Sequence, residues 1–141
     1  MRHTIGPMRI GIDCRLPTYR LGGISQSTLQ LVQALAELPG NEQVTIFHSR
    51  KEGHDFTPAD ARFSRSDLWT PCHHRLERWA LSAELTRHRL DVFHSPDFIP
   101  PAFGAGRRVI TVHDLTFLHY PNFLTAESRR YYSDQIGWAV A

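Results

Sequence analysis

Apolar residues are grouped along this chain into short runs typical of buried strands. "MRIGID" (residues 8–13) and "QVTIFHS" (residues 43–49) are mostly apolar, as in strands that are covered on both faces. "ARFSRS" (61–66), "LDVFHSP" (90–96) and "RRVITVHD" (107–114) predict three further short strands. The pattern therefore predicts five strands, each separated from the next by a loop or a helix.

Two stretches have the three- and four-residue apolar spacing of helices and carry signals for where they begin or end. The first follows Gly22-Gly23, is predicted to end at Pro39, and has an apolar stripe through Leu31, Val32, Leu35 and Leu38. The last begins near Thr125 with a capping pattern and is still apolar at residue 140. Because a natural domain rarely stops inside such a stripe, we expect the chain to be a fragment of a longer protein.

A third helix is predicted to begin at Pro71. Its predicted buried face consists of Leu76, Trp79, Ala80 and Ala83. Most of its arginines then fall on the other side, where the favoured interpretation is a face in contact with solvent. The alternative is a peripheral membrane contact, in which the arginines bind anionic lipid head groups.

Strands that alternate with helices predict βαβ units, a mostly parallel sheet and an α/β, Rossmann-like three-layer sandwich. We expect residues 1–7 to be a flexible leader and residues 8–141 to form one domain. The net charge of +2 excludes nucleic acid as the main partner. Two cysteines form no disulfide framework and no apolar run could span a membrane, so a cytoplasmic setting is expected.

Gly22-Gly23 precedes a helix and can be interpreted in two ways. Glycines there provide a tight turn, or they leave backbone N–H groups open to an anion. The pattern is neither the G-x-G-x-x-G of dinucleotide sites nor a P-loop. In a parallel sheet, the loops after the first, fourth and fifth strands (residues 14–23, 94–101 and 113–121) should meet at one edge, where ligands bind.

Three segments together carry a family resemblance: "MRIGIDCR…GGISQSTLQLVQALAEL", "DVFHSPDFIPP" and "VITVHDLTFLHYP". They resemble the N-terminal domain of the family 4 retaining glycosyltransferases, which have the GT-B fold. The likeness covers nearly the whole chain from Met8, and the "HDL…P" form is most similar to bacterial mannosyltransferase-type members. It implies transfer of a hexose from a nucleotide-sugar to a glycan or lipid-linked acceptor, as in polysaccharide biosynthesis.

The resemblance also implies roles for individual residues. Gly22, Gly23 and Ile24 would hold the donor diphosphate through backbone amides, and His113 and Asp114 would act at the reacting centre. Candidates for acceptor contacts are Arg15, Tyr19, Ser95 and Asp97. Family members need no metal for catalysis, so no metal and no cofactor is expected. Without the resemblance, the favoured interpretation of His113 is a structural histidine, and Asp114 could cap the turn that follows.

One family motif is missing from these residues. The E-x7-E of the donor-binding domain is absent, and Glu77 and Glu84 have the spacing E-x6-E. The resemblance thus implies the acceptor-side half of an enzyme that is inactive by itself, at the inner face of the membrane if the acceptor is a lipid. The alternatives are a non-catalytic module that binds a nucleotide or a partner, and a nucleotide-sugar epimerase of GT-B shape.

Overall fold

A computed structural model describes residues 6–141, except for the side chains of Glu127 and Tyr131. Most of the predicted leader, residues 1–5, therefore lies outside the described residues. The strands are β1 (Arg9–Asp13), β2 (Gln43–Ser49), β3 (Phe63–Leu68), β4 (Leu90–Ser95) and β5 (Ala105–Ile110). The helices are α1 (Leu16–Tyr19), α2 (Gly23–Glu37), α3 (Glu77–Leu85), α4 (Thr116–His119) and α5 (Ala126–Ala139). Short 3₁₀ turns cover Thr86–His88 and Pro121–Phe123.

The five strands form one parallel sheet in the order β3-β2-β1-β4-β5. Ile12 in the middle of the sheet pairs with Ile46 on one side and with His94 on the other. The parallel α/β fold predicted from the alternation of strands and helices is confirmed. Because the chain builds outward from β1 in both directions, the strand order reverses between β1 and β4.

Each face of the sheet has its own apolar core. On one face, Val32 of α2 packs with Ile12, Val44 and Ile46, and partly buried Leu35 joins them. On the other face lie Phe47, Phe93, Leu81 and Leu85, of which the last two belong to α3. The two helices therefore cover opposite faces and form the three layers of the predicted sandwich.

Gly11 of β1 is required by the packing on the α3 side. A Cβ at this position would lie 2.7–2.9 Å from side-chain atoms of Leu90, Phe47 and Phe93. Three core side chains thus occupy the space that any larger residue would need. The glycine lets them close over the central strand.

The predicted buried face of α3 is wrong. Leu76, Trp79, Ala80 and Ala83 are all exposed, and the helix buries Glu77, Leu81, Ser82 and Leu85 instead. The two polar residues are buried because they have partners there. Glu77 forms an ion pair with Arg15, and the Ser82 hydroxyl accepts hydrogen bonds from the backbone N–H groups of Ala102 and Phe103.

Two boundaries near the C-terminus bear on the site. The fifth strand ends at Ile110 and not at the predicted Asp114, so the segment containing His113 is a loop. The predicted start of the last helix is confirmed, since the Thr125 hydroxyl accepts a hydrogen bond from the Ser128 N–H at 3.2 Å.

Candidate functional site

A cleft of about 400 Å³ opens at the carboxyl edge of the sheet, where the strand order reverses. The connections leaving β1 and β4 run in opposite directions at this point, which creates a crevice between them. Residues from the three loops expected to meet there all line it, together with side chains from the segment before α3 and from α5.

One wall of the cleft is the beginning of α2. No side chain caps this helix, and its first turn holds no acidic residue. The first backbone hydrogen bond of the helix runs from the Gln26 N–H to the Gly22 carbonyl at 3.0 Å. The amides of residues 23–25 therefore precede the first hydrogen-bonded turn, and within residues 6–141 no group outside the helix accepts from them.

The backbone geometry of Gly22 and Gly23 does not require glycine at either position, which argues against a tight turn. Gly22 has an extended backbone, with φ −156° and ψ −173°, which any residue can adopt. Neither Gly22 nor Gly23 has a positive φ, and a Cβ on either would meet nothing within 4 Å. The missing side chains instead leave the positive end of the helix dipole open to the cleft.

His113 lies on the loop after β5 and reaches the same cleft. Its Nε2–H donates to the carbonyl of Pro96 at 3.0 Å. Since a carbonyl can only accept, the proton of a neutral imidazole is on Nε2, and Nδ1 carries the lone pair. The hydrogen bond fixes the ring against the loop that follows β4.

Asp114 beside it has a local structural role. Its Oδ1 accepts the Thr116 N–H at 2.9 Å and so opens α4. This is the turn-capping role that the sequence left open. Asp114 still lines the cleft, so its part in the reaction stays a prediction.

The four candidates for acceptor contacts lie in different places in the structure, and not all of them line the cleft. Asp97 lines the cleft. Tyr19 does not, and its hydroxyl is 3.2 Å from the Ser49 hydroxyl, so its role stays a prediction. Ser95 is buried and lines a smaller cavity of about 20 Å³, so its contact with an acceptor stays a prediction.

Arg15 is the clearest correction. Its side chain is completely buried and pairs with Asp13 at 2.7 Å and Glu77 at 2.8 Å, and it also donates to the Thr70 carbonyl. An acceptor in the cleft cannot reach it. Arg15 instead connects the end of β1 to the beginning of α3.

Two cleft residues were missed by the sequence analysis. His73 donates from Nε2 to Asp97 Oδ2 at 2.8 Å, and Tyr132 of α5 packs against Phe98 and Phe117. His73 is 24 residues from Asp97 along the chain, so no local pattern indicates the pair. The backbone of His73 has a positive φ of 58°, a strained conformation for a residue other than glycine, and the sequence does not indicate it.

The contact between His73 and Asp97 favours the charged form of both side chains. The hydrogen bond to Asp97 raises the pKa of His73, although burial opposes it. Burial by itself would raise the pKa of Asp97, but the hydrogen bond and the charge of His73 lower it below its usual value. The cleft therefore holds an imidazole and a carboxylate side by side, in a contact that stabilises their charged forms. No group of three His, Cys, Asp or Glu side chains within residues 6–141 is arranged to hold a metal.

Comparison with known proteins decides the family. The family model described as Glycosyltransferase Family 4 matches residues 21–140. The chain belongs to glycosyltransferase family 4. No curated protein and no solved structure matches it.

This membership agrees with the α/β, Rossmann-like fold and identifies the chain as a glycosyltransferase-type module. The match includes the beginning of α2, the His73–Asp97 pair and the loop with His113, so every part of the cleft except Leu16 and Arg20 lies within the family region. Within the described part of the chain, no helix is both long enough and apolar enough to cross a bilayer.

Proposed function

We propose that this chain is the acceptor-side, N-terminal domain of a retaining glycosyltransferase. The reaction moves a hexose, such as mannose, from a UDP- or GDP-sugar to a glycan or lipid-linked acceptor. The observation that carries the proposal is the placement of the open amides of residues 23–25 and the imidazole of His113 in one cleft.

The chemistry explains why both groups are needed. When the glycosidic bond to the donor phosphate breaks, negative charge develops on the leaving nucleoside diphosphate. Backbone N–H groups at the start of α2 would stabilise that charge without reorganising, because the residues that carry them already line the cleft. The guanidinium of Arg20, which also lines the cleft, adds a positive charge close to them.

His113 would act on the sugar that is transferred. Its ring is held by the Pro96 carbonyl with Nδ1 as the remaining ring nitrogen. A fixed polar group close to the anomeric centre orients the sugar for departure and attack. Asp97, which lines the cleft beside His73, would accept hydrogen bonds from acceptor hydroxyls.

The remaining contacts to the nucleotide are proposed to come from a second lobe that closes over this edge of the sheet and excludes water. The 141-residue chain alone should therefore bind UDP or GDP with millimolar affinity or more weakly. Calorimetry can measure this, and micromolar binding by the chain alone would contradict a site divided between two lobes.

The amide site can be tested directly by NMR. Titration of the ¹⁵N-labelled chain with pyrophosphate should shift the amide resonances of Gly23, Ile24 and Ser25 first. Inorganic sulfate at the same ionic strength controls for screening. If the largest shifts arise at another surface, the proposed diphosphate site is wrong, whatever the affinity.

A further inference from the structure

The outer face of α3 is apolar although it faces solvent. Leu76 is 61% exposed, Trp79 is 56% exposed, and Ala80 and Ala83 continue the same helical face. Phe103, from the loop before β5, is 48% exposed, with its ring 6.3 Å from that of Trp79. We call these five residues the α3 face.

The helix that carries this face is held firmly by its other side. Leu81 and Leu85 are buried in the core cluster, and Glu77 is paired with buried Arg15. The apolar residues of the α3 face therefore cannot turn inward without breaking that packing. Their exposure is a consequence of the fold, which distinguishes them from scattered surface leucines.

The surroundings of the α3 face are strongly basic. Exposed Arg75 and Arg87 flank it, and the guanidinium of Arg78 lies 3.1 Å from the centroid of the Trp138 ring. Arg108 approaches the same ring at 5.7 Å. None of these four arginines forms an ion pair with any described carboxylate.

The acidic residues of this helix are engaged elsewhere. Glu77 is buried with Arg15, and Glu84 accepts hydrogen bonds from the N–H groups of Trp69 and Thr70. The solvent-facing side of residues 75–87 thus combines an apolar strip with arginines that form no ion pair with a described carboxylate. Large aromatic and aliphatic side chains flanked by arginines fit the boundary between lipid head groups and acyl chains.

We propose that the α3 face docks on the surface of a membrane that contains anionic lipids. Leu76, Trp79 and Phe103 enter the head-group region, while the flanking arginines meet the lipid phosphates. This contact is peripheral and needs no spanning helix. A solvent-facing helix of ordinary composition would carry polar residues on this face, and a face built for a second copy of the chain would repel its own arginines at close range.

The test uses the chain with two kinds of vesicle. Vesicles of phosphatidylcholine and phosphatidylglycerol in equal parts should sediment the chain, whereas vesicles of phosphatidylcholine alone should not. Binding should weaken steeply when salt shortens the Debye length to about 3 Å, at about 1 M. The fluorescence of Trp79 should shift to the blue, and the shift should be lost in Trp79→Phe but kept in Trp69→Phe.

Matched variants separate this face from general effects of charge and hydrophobicity. Leu76→Ser should weaken vesicle binding about fivefold or more, because an exposed leucine is lost from the lipid contact. Leu38→Ser is the control, since Leu38 is 58% exposed at the end of α2. Serine is well suited to the position of Leu76, the residue that precedes α3, so the fold should be retained.

Charge is tested by a pair of double variants with the same net charge. Arg75→Gln with Arg87→Gln should lower binding about 25-fold, at about fivefold for each arginine. Arg129→Gln with Arg130→Gln on α5 should change it little. Equal effects of the two double variants, equal effects of the two leucine variants, or equal binding to both kinds of vesicle would each overturn the proposal.

A further outcome would also overturn it. If the chain dimerises with concentration and Leu76→Ser abolishes the dimer while vesicle binding is absent, the face belongs to a second copy. The vesicle assay contains no nucleotide and no sugar. Its result is therefore independent of the transferase proposal, and failure of one leaves the other intact.

Discussion

Replacing Gly23 by alanine should strengthen the fold and weaken anion binding at the same time. Gly23 is the first residue of α2, and a Cβ there meets nothing within 4 Å. Alanine has fewer conformations to lose on folding, so the free energy of unfolding should rise by about 0.4–1 kcal/mol. For a chain of this size, this raises Tm by about 1–5 °C.

The same methyl group should obstruct the proposed diphosphate site. The Cα–Cβ bonds of a helix tilt toward its N-terminus, so the methyl projects to where an anion would approach the open amides. Losing one charge-assisted hydrogen bond costs about 1.5–3 kcal/mol, which is about tenfold or more in affinity. If Gly23 served only to form a turn, replacing it by alanine would not raise stability and weaken anion binding together.

Thermal unfolding and an NMR titration with pyrophosphate measure the two effects separately. Gly137→Ala is the matched control, because Gly137 also lies in a helix and its added Cβ also meets nothing within 4 Å. It should stabilise the chain by about 1 kcal/mol and leave pyrophosphate binding unchanged. If Gly23→Ala unfolds at a lower temperature, or binds pyrophosphate as the unaltered chain does, the reasoning about the start of α2 is refuted.

Three further predictions concern single side chains. His113→Ala, placed in the two-lobed transferase proposed above, should lower transfer strongly and leave the circular dichroism spectrum intact; activity within a few-fold of the unaltered enzyme would remove His113 from the reaction. Arg15→Met should lower the free energy of unfolding by about 3–5 kcal/mol in urea denaturation, because it strands buried carboxylates; Arg62→Met, whose ion pairs are nearer to solvent, should cost less. Burial lowers the pKa of His48 below 6.5 in the folded protein, and its Nε2 accepts the Phe56 N–H. Its contribution to stability should therefore be complete above about pH 6.5 and be lost as the pH falls through the folded pKa; an NMR titration of the His48 ring with a midpoint at or above 6.5 would contradict this.

The elements that the sequence predicted correctly are those whose formation depends on residues close together in the chain. The strand over residues 43–49 and the helix that begins after Thr125 need only a run of apolar residues or a capping hydroxyl. The parallel arrangement followed from the alternation of strands and helices. The family resemblance, too, rests on short segments of the sequence, and the family match confirms it.

The α3 helix shows where this reasoning fails. Periodicity assigned Leu76 and Trp79 to the core because they are apolar, but the structure buries Glu77 and Ser82 in their place. A polar side chain can be buried when its hydrogen-bonding partners are already there. Those partners, among them Arg15, come from distant parts of the chain and are invisible to any window of the sequence.

The sequence by itself determined the order of strands and helices, the parallel sheet, the family and the bare glycine start of α2, because each depends on neighbouring residues. Only the tertiary structure decided that Arg15 forms buried ion pairs, that His73 contacts Asp97 in the cleft, and that the α3 face is exposed. These outcomes depend on which side chains meet across the folded sheet. Such contacts join residues far apart in the chain, and they contribute to stability only once the strands have paired.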